Sequence, residues 1–161
     1  MIGDSIMVGA IEHGGLVDAL TPDEWEPETI TERGRSASWA IDIVENRLTV
    51  ARTVVLALGS NPGHSSAGFT DDVQRLRNAL VERGARRIVW IPPYHTDPER
   101  YEEKIRILTE ADRTDGRLYV PPWGAVLSAS PEYVGSDGLH LTESGYRALA
   151  EYIRDALARV G

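Results

Sequence analysis

The run Thr53-Val54-Val55-Leu56-Ala57-Leu58 is the stretch of sequence that decides the fold. It is almost wholly apolar, rich in β-branched residues, and followed directly by Gly59. A second run of this kind, Arg87-Ile88-Val89-Trp90-Ile91, stops at Pro92. Strands buried on both faces of a sheet have such continuous apolar patterns, whereas half-exposed strands alternate. Both runs therefore predict central strands of a parallel sheet.

Weaker apolar runs predict the flanking strands, Trp25 to Ile30 and Arg117-Leu118-Tyr119-Val120. Pro27 favours an edge position for the first of these, because proline cannot donate to a ladder of hydrogen bonds. A further strand is predicted at the beginning of the sequence, where only Met1 and Ile2 precede Gly3. This strand is very short, or the sequence begins inside it.

Helical spacing of apolar residues separates these strands. The predicted helices are Ile6–Leu20, Ala37–Ala51, Asp71–Arg83, Glu99–Ala111 and Glu143–Val160, with Ser36, Thr70 and Thr142 as N-caps. The alternation predicts an α/β fold, with a doubly wound parallel sheet of about five strands between two layers of helices, a three-layer sandwich. A chain of 161 residues is expected to form a single domain, residues 1–161.

Composition excludes several classes of function. A net charge of -8 disfavours nucleic acid and anionic membrane surfaces as partners, which leaves small-molecule or carbohydrate partners. No metal site is expected, because there is no cysteine and His13, His64 and His95 lack ligand spacing. No run approaches the roughly 20 apolar residues of a spanning helix, so no membrane segment is expected in this chain. If the chain is complete, it is expected to be soluble and cytoplasmic.

The motif Gly3-Asp4-Ser5 follows the short first strand and places Ser5 at the amino end of a helix. Free N–H groups and the helix dipole favour negative charge at that position. A serine that attacks an ester benefits from such a position, because an oxyanion develops beside it. The alternative interpretation is that Ser5 or Asp4 only caps the helix.

A second motif, Asp137-Gly138-Leu139-His140, precedes the last predicted helix. Its spacing allows the Asp137 carboxylate to fix the tautomer of His140 while the other ring nitrogen faces a serine. The alternative is an Asp-Gly turn followed by a surface histidine.

Two loops after strands carry further polar groups. Asn61 follows the strongest predicted strand, and its side-chain amide is a possible donor to an oxyanion or a simple turn former. Gly34 follows the weaker second strand, and it provides either a bare backbone N–H or a positive φ.

Together these residues resemble the sequence blocks of the SGNH hydrolases, also called GDSL-like esterases. The matching positions are Gly3-Asp4-Ser5, Gly34, Gly59-Ser60-Asn61 and Asp137-Gly138-Leu139-His140, in the family's order. The resemblance implies a flavodoxin-like sheet and a mechanism that requires no cofactor.

The resemblance also implies a role for each matching residue. Ser5 would be the nucleophile, His140 the general base and acid, and Asp137 the carboxylate that orients it. The oxyanion hole would consist of the backbone N–H groups of Ser5 and Gly34 and the side chain of Asn61.

Within the family, Trp123, Pro131-Glu132-Tyr133 and the segment 137–142 are similar to SGNH domains that accompany membrane O-acyltransferases and modify cell-surface sugars. This similarity implies that Trp123 and Tyr133 contact substrate, by stacking on a sugar or packing on an acyl group. It also implies an extracytoplasmic location if the chain is a domain of a longer membrane acyltransferase.

The expected function is serine-dependent hydrolysis or transfer of small acyl groups, such as acetyl, on carbohydrate esters. Two alternatives remain at this stage. One is a metal-assisted phosphoesterase with Asp4, Asp137 and His140 as ligands. The other is a non-catalytic module that binds a sugar or nucleotide on a flavodoxin-like sheet.

Overall fold

The computed structural model describes residues 1–23, 25–61 and 65–160. Within them the strands form one five-stranded parallel sheet in the order β2-β1-β3-β4-β5. The strands are β1 (Ile2–Gly3), β2 (Ile30–Thr31), β3 (Thr53–Ala57), β4 (Arg87–Ile91) and β5 (Leu118–Tyr119). This is the flavodoxin-type order, in which the winding reverses between β1 and β3. The predicted doubly wound α/β fold is confirmed.

Helices cover both faces of the sheet. In chain order they are α1 (Ser5–Glu12), α2 (Leu16–Leu20), α3 (Ala37–Glu45), α4 (Ser66–Glu82), α5 (Glu102–Thr114), α6 (Trp123–Ala129) and α7 (Glu143–Val160). Short 3-10 helices lie at Thr21–Asp23, Pro98–Arg100 and Pro131–Tyr133. Residues of α3, α4 and α5 form the core on one face, and residues of α1, α2, α6 and α7 form the core on the other.

The position of strand β3 between two layers of helices explains why its sequence is continuously apolar. Val54 and Leu56 pack into the core beneath α3, α4 and α5, whereas Val55 and Ala57 pack into the core on the α1 and α7 side. Successive side chains of a strand point to opposite faces, and both faces are covered here. Polar residues would therefore be buried at either set of positions.

Two predicted helices are shorter than expected. The helix predicted over Ile6–Leu20 is divided into α1 and α2, because Gly15 adopts a left-handed conformation with φ of 67°. Helix α3 ends at Glu45 rather than Ala51. Its C-cap residue, Asn46, returns its side chain to the Asp42 carbonyl, and this bond favours termination over another turn.

Other boundaries also differ from the predictions. The strand predicted over Trp25 to Ile30 is limited to β2, since residues 25–29 have no strand pairing. Helix α4 begins after Ser65, so Thr70 lies inside the helix and is not its N-cap. Helix α6 was not predicted at all. Pro62, Gly63 and His64 of the predicted loop after β3 lie outside the described residues.

The close packing of α1 against α7 can be tested by substitution of Gly9. A Cβ atom at Gly9 would lie 2.1 Å from the ring of Tyr146, whose side chain is buried. We expect Gly9→Ala to destabilise the fold by roughly 1–3 kcal/mol through overpacking, although alanine is the better helix former. Urea denaturation measures the change. Gly116→Ala is the matched control, because a Cβ there meets nothing within 4 Å, and a loss of stability equal to that of Gly9→Ala would contradict the packing argument.

Candidate active site

The predicted site residues lie on loops at the carboxyl ends of the strands. Ser5 follows β1, Gly34 follows β2 and Asn61 follows β3. The segment carrying Asp137 and His140 leads into α7. In sheets of this topology a crevice opens where the winding reverses, here between β1 and β3, and ligands bind there.

Ser5, His140 and Asp137 form a continuous chain of hydrogen bonds. The Oγ of Ser5 lies 3.0 Å from Nε2 of His140, and Nδ1 of His140 lies 2.6 Å from Oδ2 of Asp137. Ser5 is the first residue of α1 and is only 7% exposed. The structure therefore brings the three side chains together in the order that nucleophile, base and orienting carboxylate require.

Asp137 determines how the His140 ring is protonated. Its other oxygen, Oδ1, accepts hydrogen bonds from the backbone N–H groups of Leu139 and His140 at 3.0 and 2.9 Å. The hydrogen bond from the His140 side chain, together with these N–H groups, lowers the pKa of Asp137 to about 2. The ionised carboxylate only accepts, so Nδ1 carries the ring proton and Nε2 is left to accept from the Ser5 hydroxyl.

The turn that presents His140 depends on Gly138. Its φ is 74°, and a Cβ atom there would lie 2.3 Å from Oγ1 of Thr96. The Gly138 carbonyl accepts from the Thr96 backbone N–H at 2.9 Å, and the Gly135 N–H donates to the His140 carbonyl at 2.7 Å. The loop after β4 thus supports the turn. Sequence reasoning missed Thr96, since nothing in its local pattern indicates this contact.

Asp4 is completely buried and joins two loops of the site. As the N-cap of α1, it accepts the Ile6 backbone N–H on Oδ1 at 3.0 Å, while Oδ2 accepts the side-chain amide of Asn61 at 3.0 Å. Burial raises the pKa of Asp4 to about 6, although the bonds from Ile6, Asn61 and Ser60 oppose this shift. The sequence interpretation considered Asp4 as a helix cap or, in the phosphoesterase alternative, as a metal ligand, so its second bond, to Asn61, was not anticipated.

The Asn61 amide lies between two acceptors. Besides Asp4, its Nδ2 donates to the carbonyl oxygen of Arg35 at 3.1 Å. This contact places the loop after β2 beside the loop after β3. Gly34, in the same loop, has φ of 79° and open space around its Cβ position, so the turn favours glycine there.

The sequence predicts that Trp123 contacts substrate, but its ring does not lie at the surface. It begins α6, is 2% exposed and packs on Tyr152, with ring centroids 4.9 Å apart. A buried ring offers no face to a sugar, so the sugar-stacking interpretation of Trp123 is wrong. Tyr133 ends a 3-10 helix and packs partly against the same core as Trp123.

Trp123 instead lines a small apolar cavity of about 10 Å³. The cavity wall includes neighbours of three site residues, namely Ile6 beside Ser5, Ser60 beside Asn61 and Leu139 beside His140. The cavity therefore lies close under the site. Its volume is about that needed by one water molecule.

Neither a metal-binding cluster nor a membrane-spanning helix occurs in the described ranges 1–23, 25–61 and 65–160. No group of three or more His, Asp or Glu side chains there is arranged to hold a metal ion, so Asp4, Asp137 and His140 do not form a ligand set. In the same residues, no helix combines the length and apolar character needed to cross a membrane.

Comparison with known proteins gives relatives of one kind, although no family model matches the chain. The sequence is 26% identical over 158 residues to the O-acetyltransferase OatA of Staphylococcus aureus strain NCTC 8325, a match that covers 95% of this chain. The chain spans only 24% of the length of that relative.

Two solved structures superpose on nearly the whole chain. One is the C-terminal catalytic domain of the peptidoglycan O-acetyltransferase OatA of Streptococcus pneumoniae, solved with a methylsulfonyl adduct. It has a TM-score of 0.82 and 22% identity and covers 98% of this chain and 90% of that domain. The other, from Slackia heliotrinireducens, is assigned to the SGNH hydrolases and has a TM-score of 0.75 and 18% identity, with 98% and 96% coverage.

The chain therefore has the fold of the SGNH hydrolases, and the resemblance predicted from its sequence blocks is confirmed. The relatives are acetyltransferases and a hydrolase, in agreement with the predicted serine esterase or O-acyltransferase. They do not favour a metal-assisted phosphoesterase or a non-catalytic binding module.

The raised pKa of Asp4 predicts a specific dependence of stability on pH. A carboxyl with a higher pKa in the folded than in the unfolded chain binds more protons when folded. Its stabilising contribution is therefore complete below about pH 4 and is lost as the pH rises through about 6. We expect the difference in unfolding free energy between wild type and Asp4→Asn to fall by roughly 2–3 kcal/mol between pH 4 and 7.

Urea denaturation across this pH range measures that difference, and the constant cost of losing a hydrogen bond in the variant cancels. A carboxyl-carbon NMR titration of Asp4 gives the pKa independently. Parallel stability curves for the two proteins would contradict a raised pKa.

Proposed function

We propose that the chain is a serine-dependent esterase or O-acyltransferase that moves small acyl groups, acetyl in particular, on carbohydrate esters. The observation that carries this proposal is the chain of hydrogen bonds from Ser5 through His140 to Asp137, at 3.0 and 2.6 Å, at the amino end of α1. In this proposal Ser5 is the nucleophile, His140 the base and Asp137 its orienting carboxylate.

In the first half-reaction, the Oγ of Ser5 attacks the acyl carbonyl carbon and its proton passes to Nε2 of His140. The imidazolium is stabilised by the ionised Asp137 beside Nδ1. The tetrahedral adduct then expels the alcohol, which takes the proton from His140. An acyl ester remains on Ser5.

The oxyanion of the adduct requires donors that are already in place. We assign this role to the backbone N–H groups of Ser5 and Gly34 and to the Asn61 amide. One hydrogen of that amide is directed by Asp4, and the other faces the Arg35 carbonyl in the free protein. A charged oxygen forms the stronger hydrogen bond, so the oxyanion replaces the neutral carbonyl as acceptor.

In the second half-reaction, water or a sugar hydroxyl gives its proton to His140 and attacks the acyl group. Ser5 recovers the proton as the second adduct collapses to acetate or to an acetylated sugar.

The carbohydrate part of the proposal is supported by the relatives. The superposed domain from Streptococcus pneumoniae acts on peptidoglycan, and the chain covers 90% of that domain. We propose that the acceptor is a glycan of this kind. We also propose that the chain acts on it outside the cytoplasm, as a domain of a longer membrane acyltransferase. The open, solvent-facing position of His140 and Asp137 is compatible with a polymeric acceptor.

The first activity prediction concerns Ser5 and His140. Ser5→Ala and His140→Ala are each expected to reduce turnover of an aryl acetate by about 10³-fold or more, with little further loss in the double variant, because groups that act as a unit are not additive. Steady-state kinetics gives the rates. Intact mass after treatment with methanesulfonyl fluoride should show one adduct on the wild type and none on Ser5→Ala.

His13→Ala is the matched control for His140→Ala, since His13 caps α1 at its opposite end and should be dispensable. A Ser5→Ala protein that kept more than about a tenth of the activity would rule out Ser5 as the nucleophile.

The second activity prediction concerns the acceptor. Water is present at about 55 M, so a sugar hydroxyl competes only if the site orients it, and oriented binding supplies effective concentrations of 10⁵ M or more. With an aryl acetate donor and a millimolar chitooligosaccharide, we expect acetylated glycan in the product mass spectrum. Ser5→Ala should abolish it. If only free acetate forms with several classes of glycan, the protein is an esterase and the transferase part of the proposal is wrong.

A further inference from the structure

Four consecutive backbone carbonyls of the loop after β3 are each held by a side chain from β4, from α5 or from the N-cap residue of α5. The Leu58 carbonyl accepts from Nε1 of Trp90 at 3.1 Å, and the Ser60 carbonyl accepts from the hydroxyl of Tyr101 at 2.6 Å. The remaining two, those of Gly59 and Asn61, both accept from Nζ of Lys104, at 2.7 and 3.3 Å. We call Trp90, Tyr101 and Lys104 the carbonyl clamp.

The clamp lies beneath the loop in the core of the molecule. Trp90 is fully buried and Tyr101 is 6% exposed, so neither side chain is free to turn toward solvent. A loop usually leaves its carbonyls to water. Here the main chain is fixed at every residue from Leu58 to Asn61, which is more than a turn requires.

Among the residues that the structure describes, the Lys104 ammonium donates to this loop and lies beside two aromatic rings. Its Nζ lies 5.2 Å from the ring centroid of Phe69 and 5.5 Å from that of Tyr101. Among the described residues, no carboxylate lies within ion-pair distance of it. Burial lowers the pKa of Lys104, and the charge of Asp4 opposes this shift.

The choice of lysine is itself informative. Lys104 is the one lysine among the 161 residues, and all other strongly basic side chains are arginines. A compact ammonium group with three donors reaches two carbonyls at once and lies beside two aromatic rings. The contacts at this position therefore suit a compact cation.

The clamp acts on the residue that we assign to the oxyanion. Asn61 is held from one side by Asp4 through its side chain and from the other by Lys104 through its carbonyl. An oxyanion donor is effective only if it is fixed before the charge develops, and a displacement of 1 Å costs about 10²-fold in rate. Fixing the backbone of Asn61 fixes the point from which its amide donates.

We infer that Tyr101 and Lys104 are positioning residues that hold the Asn61 amide in place for the oxyanion. This inference rests on the proposed function, because it concerns the transition state of that reaction. Neither side chain touches the substrate, and both act through Asn61.

The test is a double-mutant cycle on aryl acetate hydrolysis by the full chain. Tyr101→Phe removes one hydroxyl and keeps the ring, and Lys104→Met removes the charge and keeps the stem. We expect each to lower kcat about 10- to 100-fold with KM within about twofold, since the interaction that is weakened indirectly, from Asn61 to the oxyanion, exists only in the transition state. In an Asn61→Ala background, the same substitutions should lower kcat by less than about threefold more.

Tyr152→Phe is the matched control, because Tyr152 lies on α7 on the opposite face of the sheet and should leave kcat unchanged. Melting curves of each variant show whether it is folded at the assay temperature, and Tyr101→Phe decides the outcome if Lys104→Met is not. Losses that multiply with that of Asn61→Ala, or wild-type kcat in Tyr101→Phe, would overturn the inference while the proposed function stands. Wild-type protein that neither hydrolyses the ester nor is labelled on Ser5 would overturn the proposed function and the inference with it.

Discussion

The rest of the site depends on the hydrogen bonds that the buried Asp4 carboxylate accepts. It sets the first turn of α1 through the Ile6 N–H and directs the amide of Asn61, so it joins the loops after β1 and β3 at the point where the winding reverses. Burial of an ionisable group is unfavourable, as its raised pKa shows. The fold tolerates this because one carboxylate orders both the helix that begins at Ser5 and the side chain opposite it.

The site is assembled from both sides of the sheet. Ser5 and His140 come from segments that lead into α1 and α7, on one face, whereas the side chains under the loop after β3 come from β4 and α5 on the other. A parallel sheet permits this arrangement, since its strand ends lie along one edge with helices on either side. Precision at the edge therefore depends on packing in both cores.

The sequence predicted the strands and site residues that depend on a local pattern or on burial of a strand on both faces of the sheet. Strands β3 and β4 were found because burial on both faces leaves an unbroken apolar run, and Ser5, Asn61 and His140 were selected because they follow strand ends or precede a helix. Helix α6 was missed because the prolines before it only suggested the end of a strand. The burial of Trp123 depends on Tyr152, and the bond from Asn61 to Asp4 spans 57 residues, so neither has a local signal.

The separation of Ser5 and His140 in the sequence also determines when the site can form during synthesis and folding. The two residues are 135 positions apart, so their hydrogen bond closes almost the entire chain into one loop. During synthesis Ser5 is therefore made 135 residues before His140, which lies in the segment before α7. In the proposed mechanism, Ser5 gains nucleophilic power only when folding has brought it to His140, so it has ordinary alcohol reactivity until then.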